Sequence, residues 1–194
     1  MTPSQPPTIT AVLGSVTPPG RLRRALAEAL ERVDPATAGT ELIDLAQRTI
    51  GFADGRPPED LGDDTAAVVN AIASADAVLL ATPVYRATLT GALKNLLDHV
   101  PVAGLRDTPV GIVAMGGSDH HYLGAERHLR DILSWFGALT LPNAVYLTAR
   151  DFSDGVPGER AAAELDGLLG AAITLAGERR GGPPLGPPPL AARF

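Results

Sequence analysis

Cysteine is absent from the 194-residue chain. That excludes disulfide frameworks, thiolate-held iron–sulfur clusters and cysteine redox pairs. Basic charge is short as well: 16 Lys and Arg against 22 Asp and Glu leave a net charge of −6 and a sequence pI of about 5.1. Nucleic-acid partners usually call for a basic patch, so none is expected. No apolar run approaches the roughly 18 residues that span a bilayer, and no membrane partner is expected. Residues 1–8 are polar and proline-rich. They lack the charged and apolar regions of a signal peptide and read as a disordered lead-in to a cytoplasmic protein.

What is present centres on residues 75–98. Residues 77–81 are a short run apolar on both faces, as in a central strand of a covered parallel sheet. Thr82-Pro83 is expected to stop that strand, because proline has no N–H for the ladder. Leu89, Leu93, Leu96, Leu97 and Val100 then recur at helical spacing. The same alternation fills the chain. Strands are expected at 9–13, 41–45, 109–115 and, broken, at 139–147. Helices are expected after Arg21 (Leu22, Leu26, Leu30, Val33), around Val68, Val69 and Ile72, around Ala125, Leu129, Ile132 and Phe136, and around Leu165, Leu168, Leu169 and Ala172. Alternating strands and helices imply an α/β three-layer sandwich. Five parallel strands suit the flavodoxin-like order 2-1-3-4-5. One domain over residues 9–180 is expected, followed by a Pro/Gly-rich tail at 181–194 that is disordered or lies on a partner.

In that order three loops share the rim at the carboxyl ends of the strands: 14–20, 83–86 and 116–121. The first offers Gly14 for a turn, the Ser15 and Thr17 hydroxyls, Arg21 and a helix start, which together suit an anion. An ordinary strand–turn–helix would look the same. No Gly-Lys-Ser/Thr follows, and no Gly-x-Gly-x-x-Gly is present there, so neither nucleotide fingerprint applies. The second loop carries Tyr85 and Arg86, a floor for a flat ligand or a half-buried tyrosine beside a solvated arginine. The third places Gly116 and Gly117 where backbone can approach a ligand, or make a simple turn. His120 and His121 point apart on a helix, and His121 with His128 lacks a completing carboxylate, so no metal site is expected. Asp119 is expected to support the helix start, Glu59, Asp60, Asp63 and Asp64 to be a solvated loop, and Trp135-Phe136 to be core or subunit interface.

Three segments resemble the NAD(P)H-dependent FMN reductases: residues 11–15 (AVLGS), 81–94 (ATPVYRATLTGALK) and 114–118 (AMGGS). The likeness spans roughly residues 9–152, and the Pro-Val-Tyr-Arg segment with the following Gly-Ala-Leu-Lys is its most specific part. Among that family the chain looks most like the flavin reductases that feed two-component monooxygenases, such as the alkanesulfonate systems. The resemblance implies a flavodoxin-like fold, FMN as cofactor, and hydride transfer from NADPH or NADH. It places Ser15, Thr17, Arg21 and Leu22 in the phosphate loop, and Pro83, Val84, Tyr85 and Arg86 along the isoalloxazine. Gly116, Gly117 and Ser118 would lie near the pyrimidine edge. It also implies a homodimer or homotetramer. The phosphate loop departs from the pattern, with Val16, Pro18, Pro19, Gly20 and Leu22 where relatives commonly offer hydroxyl and basic groups.

With neither cysteine nor a metal cluster, two-electron chemistry here falls to an organic cofactor. No side chain is assigned a catalytic role; backbone N–H groups of the second and third loops are expected to meet negative charge developing on the reduced ring. Two other readings stay open: a protein that retains FMN and reduces a quinone, azo compound or other small acceptor, and a non-catalytic flavin-binding electron carrier.

Overall fold

Alternate residues of one strand face two different cores. In β3 (Ala77–Pro83), Ala77, Leu79 and Ala81 belong to one buried cluster, Val78 and Leu80 to the other. Each fully buried Val or Leu contributes about 1.5–3 kcal/mol. The continuous apolar run is therefore the signature of a strand covered on both sides. The computed structural model describes residues 5–17 and 19–188, without the side chains of 121–123.

Around β3 lie β1 (Thr8–Leu13), β2 (Gly39–Asp44) and β4 (Pro109–Met115), all parallel, in the order β2-β1-β3-β4. The fifth position is divided between β5 (Leu139–Thr140), which pairs with the start of β4, and β6 (Val145–Leu147), which pairs with its end. Pro142 lies in the gap and has no N–H for a ladder. The sheet thus has six strands in five positions, in the expected order. Helices α1 (Arg21–Glu31) and α5 (Glu159–Arg179) cover one face. The other is covered by α2 (Thr65–Ser74), α3 (Gly91–His99) and α4 (Tyr122–Phe136). Leu133 of α4 is buried, whereas Ile132, expected inside, is half-buried.

Pro83 does not stop β3, contrary to expectation: it pairs with Met115. Val84 N–H reaches the Met115 carbonyl at 2.8 Å, while Gly14 N–H reaches Ala81 at 2.7 Å. The missing proline N–H therefore falls on the β1 side, past Leu13, where pairing has ended. The 46–62 connection is irregular apart from short 3-10 turns, and Asp63 and Asp64 are more than solvated charges. Asp63 accepts from Thr65 N–H at 2.9 Å, and Asp64 from Thr49 N–H at 2.8 Å. A short antiparallel hairpin, β7 (Phe152–Ser153) with β8 (Val156–Pro157), precedes α5 and was not expected.

At the amino end of the sheet, the chain around 181–188 has no regular element but lies on its own domain. Arg106 donates to the Gly186 carbonyl at 3.0 Å and Arg179 to Pro183 at 2.6 Å. Arg180 holds the Gln5 carbonyl and pairs with Asp76 at 3.3 Å. Residues 1–4 of the lead-in and 189–194 of the tail lie outside the described residues.

Candidate functional site

The opposite end, where β1, β3 and β4 finish, carries the three loops. Gly14 is required at the first turn: a Cβ there would stand 2.7 Å from Leu93 Cβ. Its carbonyl accepts from the buried Thr90 hydroxyl, which in turn caps α3 by accepting from Leu93 N–H at 3.1 Å. Thr90 N–H donates to Thr82 Oγ1 at 3.1 Å, and Thr82 Oγ1 to the Pro83 carbonyl at 2.9 Å. Two buried threonines thus lock the first loop to the second.

Beyond Gly14 the donors face outward. Ser15 and Thr17 hydroxyls are 2.8 Å apart. Gly20 caps α1 without a side-chain bond, and the first turn holds no acidic residue. The first N–H groups of α1 are therefore left for a ligand. Among the described residues, no hydrogen bond or ion pair engages the Arg21 guanidinium. Arg23 differs: its Nε meets Asp44 at 2.9 Å, with Asp44 buried at the end of β2.

A cavity of about 140 Å³ joins these groups. Ser15, Thr17, Arg21, Leu22, Pro83 and Tyr85 line it, so the structure brings together six of the residues expected from sequence. Leu13, Pro19, Gly20, Arg23 and Met115 line it too. Met115 ends β4 opposite Pro83, a placement that needs the register and cannot be read from spacing.

Val84 and Arg86 lie beside the cavity, in a tight turn closed by Tyr85 N–H to Thr88 at 2.9 Å and the reverse bond at 3.1 Å. Arg86 and Ala87, its central residues, have φ of 51° and 64°. Helix α4 clasps this turn. A Cβ at Gly124 would collide with the Ala87 carbonyl, and His128 Nδ1 meets Thr88 Oγ1 at 2.7 Å. His128 is thus a loop anchor, and among the described residues no cluster suits a metal.

Gly116, Gly117 and Ser118 stand at the next strand end, outside the cavity lining. A Cβ at Gly116 would collide with the Tyr146 hydroxyl, which donates to the Ser118 carbonyl at 2.7 Å. Burial, and then the Asp119 carboxylate, push the Tyr146 phenol above its usual range, so it remains a donor. Asp119 also meets Arg150 at 2.7 Å. The backbone N–H groups expected to meet developing charge are largely spent inside the fold. Val84, Tyr85 and Gly116 donate to Met115, Thr88 and Leu147. Among the described residues Arg86 and Gly117 keep theirs, and Gly117 has nothing within 4 Å of where a Cβ would stand.

An open parallel sheet in the order 2-1-3-4-5, with a donor-lined cavity at the carboxyl ends of its strands, defines a flavodoxin-like fold. Residues 7–152 match the family described as NADPH-dependent FMN reductase, and the chain belongs to that family. It is an NAD(P)H-dependent oxidoreductase that transfers hydride to FMN. It is 39% identical over 155 residues to the NADH-dependent FMN reductase SfnF of Pseudomonas fluorescens (strain Pf0-1), covering 78% of this chain and 81% of that one. An NAD(P)H-dependent FAD/FMN reductase of Geobacillus thermodenitrificans (strain NG80-2) is 37% identical over 114 residues. That match covers 59% of this chain and 62% of the relative. Among solved structures, the apo form of the NADH:FMN oxidoreductase EmoB superposes with a TM-score of 0.66 at 25% identity. It covers 87% of this chain and 89% of that one.

Proposed function

We propose that the chain binds FMN at the rim loops and hands reduced flavin to a partner monooxygenase in the cytoplasm, working as a single flavodoxin-like domain over residues 9–180. The observation that carries the binding site is the 140 Å³ cavity where an α1 without a side-chain cap, two hydroxyls and an arginine with no partner among the described residues converge. That donor set fits a phosphate. Ser15, Thr17, Arg21 and the α1 N–H groups hold it, with Leu22 packing beneath. Pro83, Val84, Tyr85 and Arg86 support the ring on one side, and Gly116, Gly117 and Ser118 border its polar edge. When bound, FMN supplies the hydride acceptor. The protein orients a reduced nicotinamide above the Tyr85 turn and excludes water from that face. The Arg86 and Gly117 N–H groups present positive dipoles to the site.

Val16 and Pro19 add no side-chain donors to the cradle, and Pro19 has no N–H, so the hold on the phosphate rests on Ser15, Thr17, Arg21 and the α1 N–H groups alone. A hold confined to these few groups favours release of the reduced flavin over its retention for a quinone or azo acceptor. The subunits are proposed to pair as a homodimer or homotetramer through the face carrying Trp135, which is half exposed.

Arg21→Ala tests the cradle. Losing one charge-assisted bond costs FMN about 1.5–3 kcal/mol, roughly 10- to 150-fold in affinity. Riboflavin, with the same ring and no phosphate, should bind unchanged. Equal losses for both flavins would remove Arg21 from the phosphate site. NAD(P)H oxidation that needs added FMN, and no quinone or azo dye, supports release; oxidation driven by a dye without added FMN would refute it.

A further inference from the structure

Arginine on this chain is nearly always answered by an acid. Arg23 meets Asp44 at 2.9 Å, Arg24 meets Glu28 at 2.7 Å, Arg32 meets Asp166 at 2.7 Å and Arg130 meets Glu126 at 2.8 Å. Among the described residues, the guanidiniums with neither an ion pair nor a hydrogen bond are those of Arg21, Arg86 and Arg127. All of them stand at or beside the rim. Arg21 lines the phosphate cavity; Arg86 and Arg127 do not. They flank instead the turn closed by Tyr85 and Thr88, Arg86 within it and Arg127 on the helix that clasps it. Gly124, Arg127 and His128 share one face of α4. Gly124 lies against the Ala87 carbonyl and His128 holds Thr88 at 2.7 Å. Both Arg86 and Arg127 are exposed. Asp131, one turn beyond Arg127, has the spacing for an ion pair and makes none with it.

We propose that Arg86 and Arg127 form a clamp for the pyrophosphate of the nicotinamide nucleotide, on the α4 side of Tyr85 and away from the flavin phosphate. The inference rests on the flavin site proposed above. In a chain of net charge −6, guanidiniums left without an acid at one edge are free for an anion that arrives from solution. The single phosphate of FMN accounts for Arg21 and leaves the other two. The remaining anion of the reaction is the hydride donor, whose pyrophosphate bears a negative charge on each phosphate. One ribose ties that pyrophosphate to the nicotinamide. With the ring over the flavin face at Tyr85, the phosphates therefore fall at the border of the turn, where Arg86 and Arg127 stand. Each planar fork can offer parallel N–H groups to a phosphate. The clasp of α4 on the turn fixes the spacing of the pair. Their exposure suits a substrate that enters and leaves in every turnover, since a solvent-screened contact adds affinity without trapping product.

Steady-state kinetics at saturating FMN test this in the wild type, Arg86→Ala, Arg127→Ala and Arg127→Lys. The hydride donors compared are NADH, NADPH and N-benzyl-dihydronicotinamide, which has the reacting ring and no phosphate. Each alanine variant should raise the KM for NADH and for NADPH about tenfold, the size of one charge-assisted contact. The kcat should hold, as when binding shared by ground and transition states is lost. Arg127→Lys should recover part of the loss, because it keeps the charge without the fork. In Arg127→Ala, the kcat/KM for the benzyl donor and the Kd for FMN should not change. In Arg86→Ala, which lies in the flavin loop, the loss should be larger for the dinucleotides than for the benzyl donor. An unchanged KM for NADH in either alanine variant overturns the clamp. A rise for NADPH alone overturns it too, since the contact is then to the 2′-phosphate. An equal loss with the benzyl donor in Arg127→Ala means that this arginine shapes the turn instead of holding a phosphate, and weaker FMN binding moves it to the flavin site; either is fatal. All these outcomes spare the flavin site. If added FMN drives oxidation of no donor by the wild type, the flavin site itself falls, and the clamp with it.

Discussion

Arg86 and Ala87 sit at the two central positions of a turn in which both backbones are left-handed, with φ of 51° and 64°. Asn-Gly fills such turns readily; two residues with ordinary side chains do not, at about 1–2 kcal/mol each. Strain of this kind persists only where the surroundings impose it. Here Gly124 of α4 lies against the Ala87 carbonyl and His128 holds Thr88. Ala87→Gly should therefore raise stability by about 1 kcal/mol, a rise of roughly 2–4 °C in Tm for a chain this long. A melting curve that fails to move upward would show that the turn is unstrained. Tyr85 and Arg86 could be singled out from sequence because they follow an apolar strand. The turn itself was hidden, since no glycine marks it and its cause lies in α4. The anchoring role of His128 has no local signal, because its partner Thr88 is 40 positions away.

The strand–helix alternation was plain in the sequence because every long element carries a periodic apolar face. Short elements without such a face were not. The β7–β8 hairpin is announced only by Asp154-Gly155, with φ of 50° and 76°, a strong two-residue hairpin signal flanked by strands of two residues each. Just before it, Asp151 accepts from Thr148 N–H at 2.7 Å and from the Thr148 hydroxyl, and pairs with Arg160 of α5. Burial pushes this carboxyl up, but the Thr148 and Arg160 bonds outweigh it and hold it below its ordinary 3.8. A carboxyl depressed in the folded state stabilises the fold above its unfolded pKa, and that contribution is lost as pH falls through the folded value. Asp151→Asn should cost about 1.5–3 kcal/mol at pH 7, and the deficit should shrink in acid below the ordinary value of 3.8. Urea midpoints at pH 7 and at low pH measure it. A deficit independent of pH would mean that the charge contributes nothing.

At the scale of the whole molecule, the proposed pairing of subunits meets a groove between α3 and α4. Its volume is about 390 Å³, with Leu97, Val100, Ile132, Trp135 and Phe136 among its lining. Trp135 meets Phe136 edge-on, with ring centroids 5.1 Å apart, yet is itself 52% exposed. Closed symmetric contacts bury such a face on both partners at once. Sedimentation at micromolar concentration should show a species of at least twice the 20.0 kDa chain, and Trp135→Glu should return it to the monomer. A wild-type protein that sediments only at 20.0 kDa ends the idea.

The arginines at the amino end of the sheet have a consequence for handling the protein. Arg180 holds the Gln5 carbonyl, so the chain enters and leaves the fold at neighbouring points. Both points lie at the far end of strands six or seven residues long, about 20 Å from the rim that carries the loops. A fluorescent reporter or immobilising linker attached at residue 5 or residue 186 therefore sits behind the molecule, leaving its working edge facing free solution.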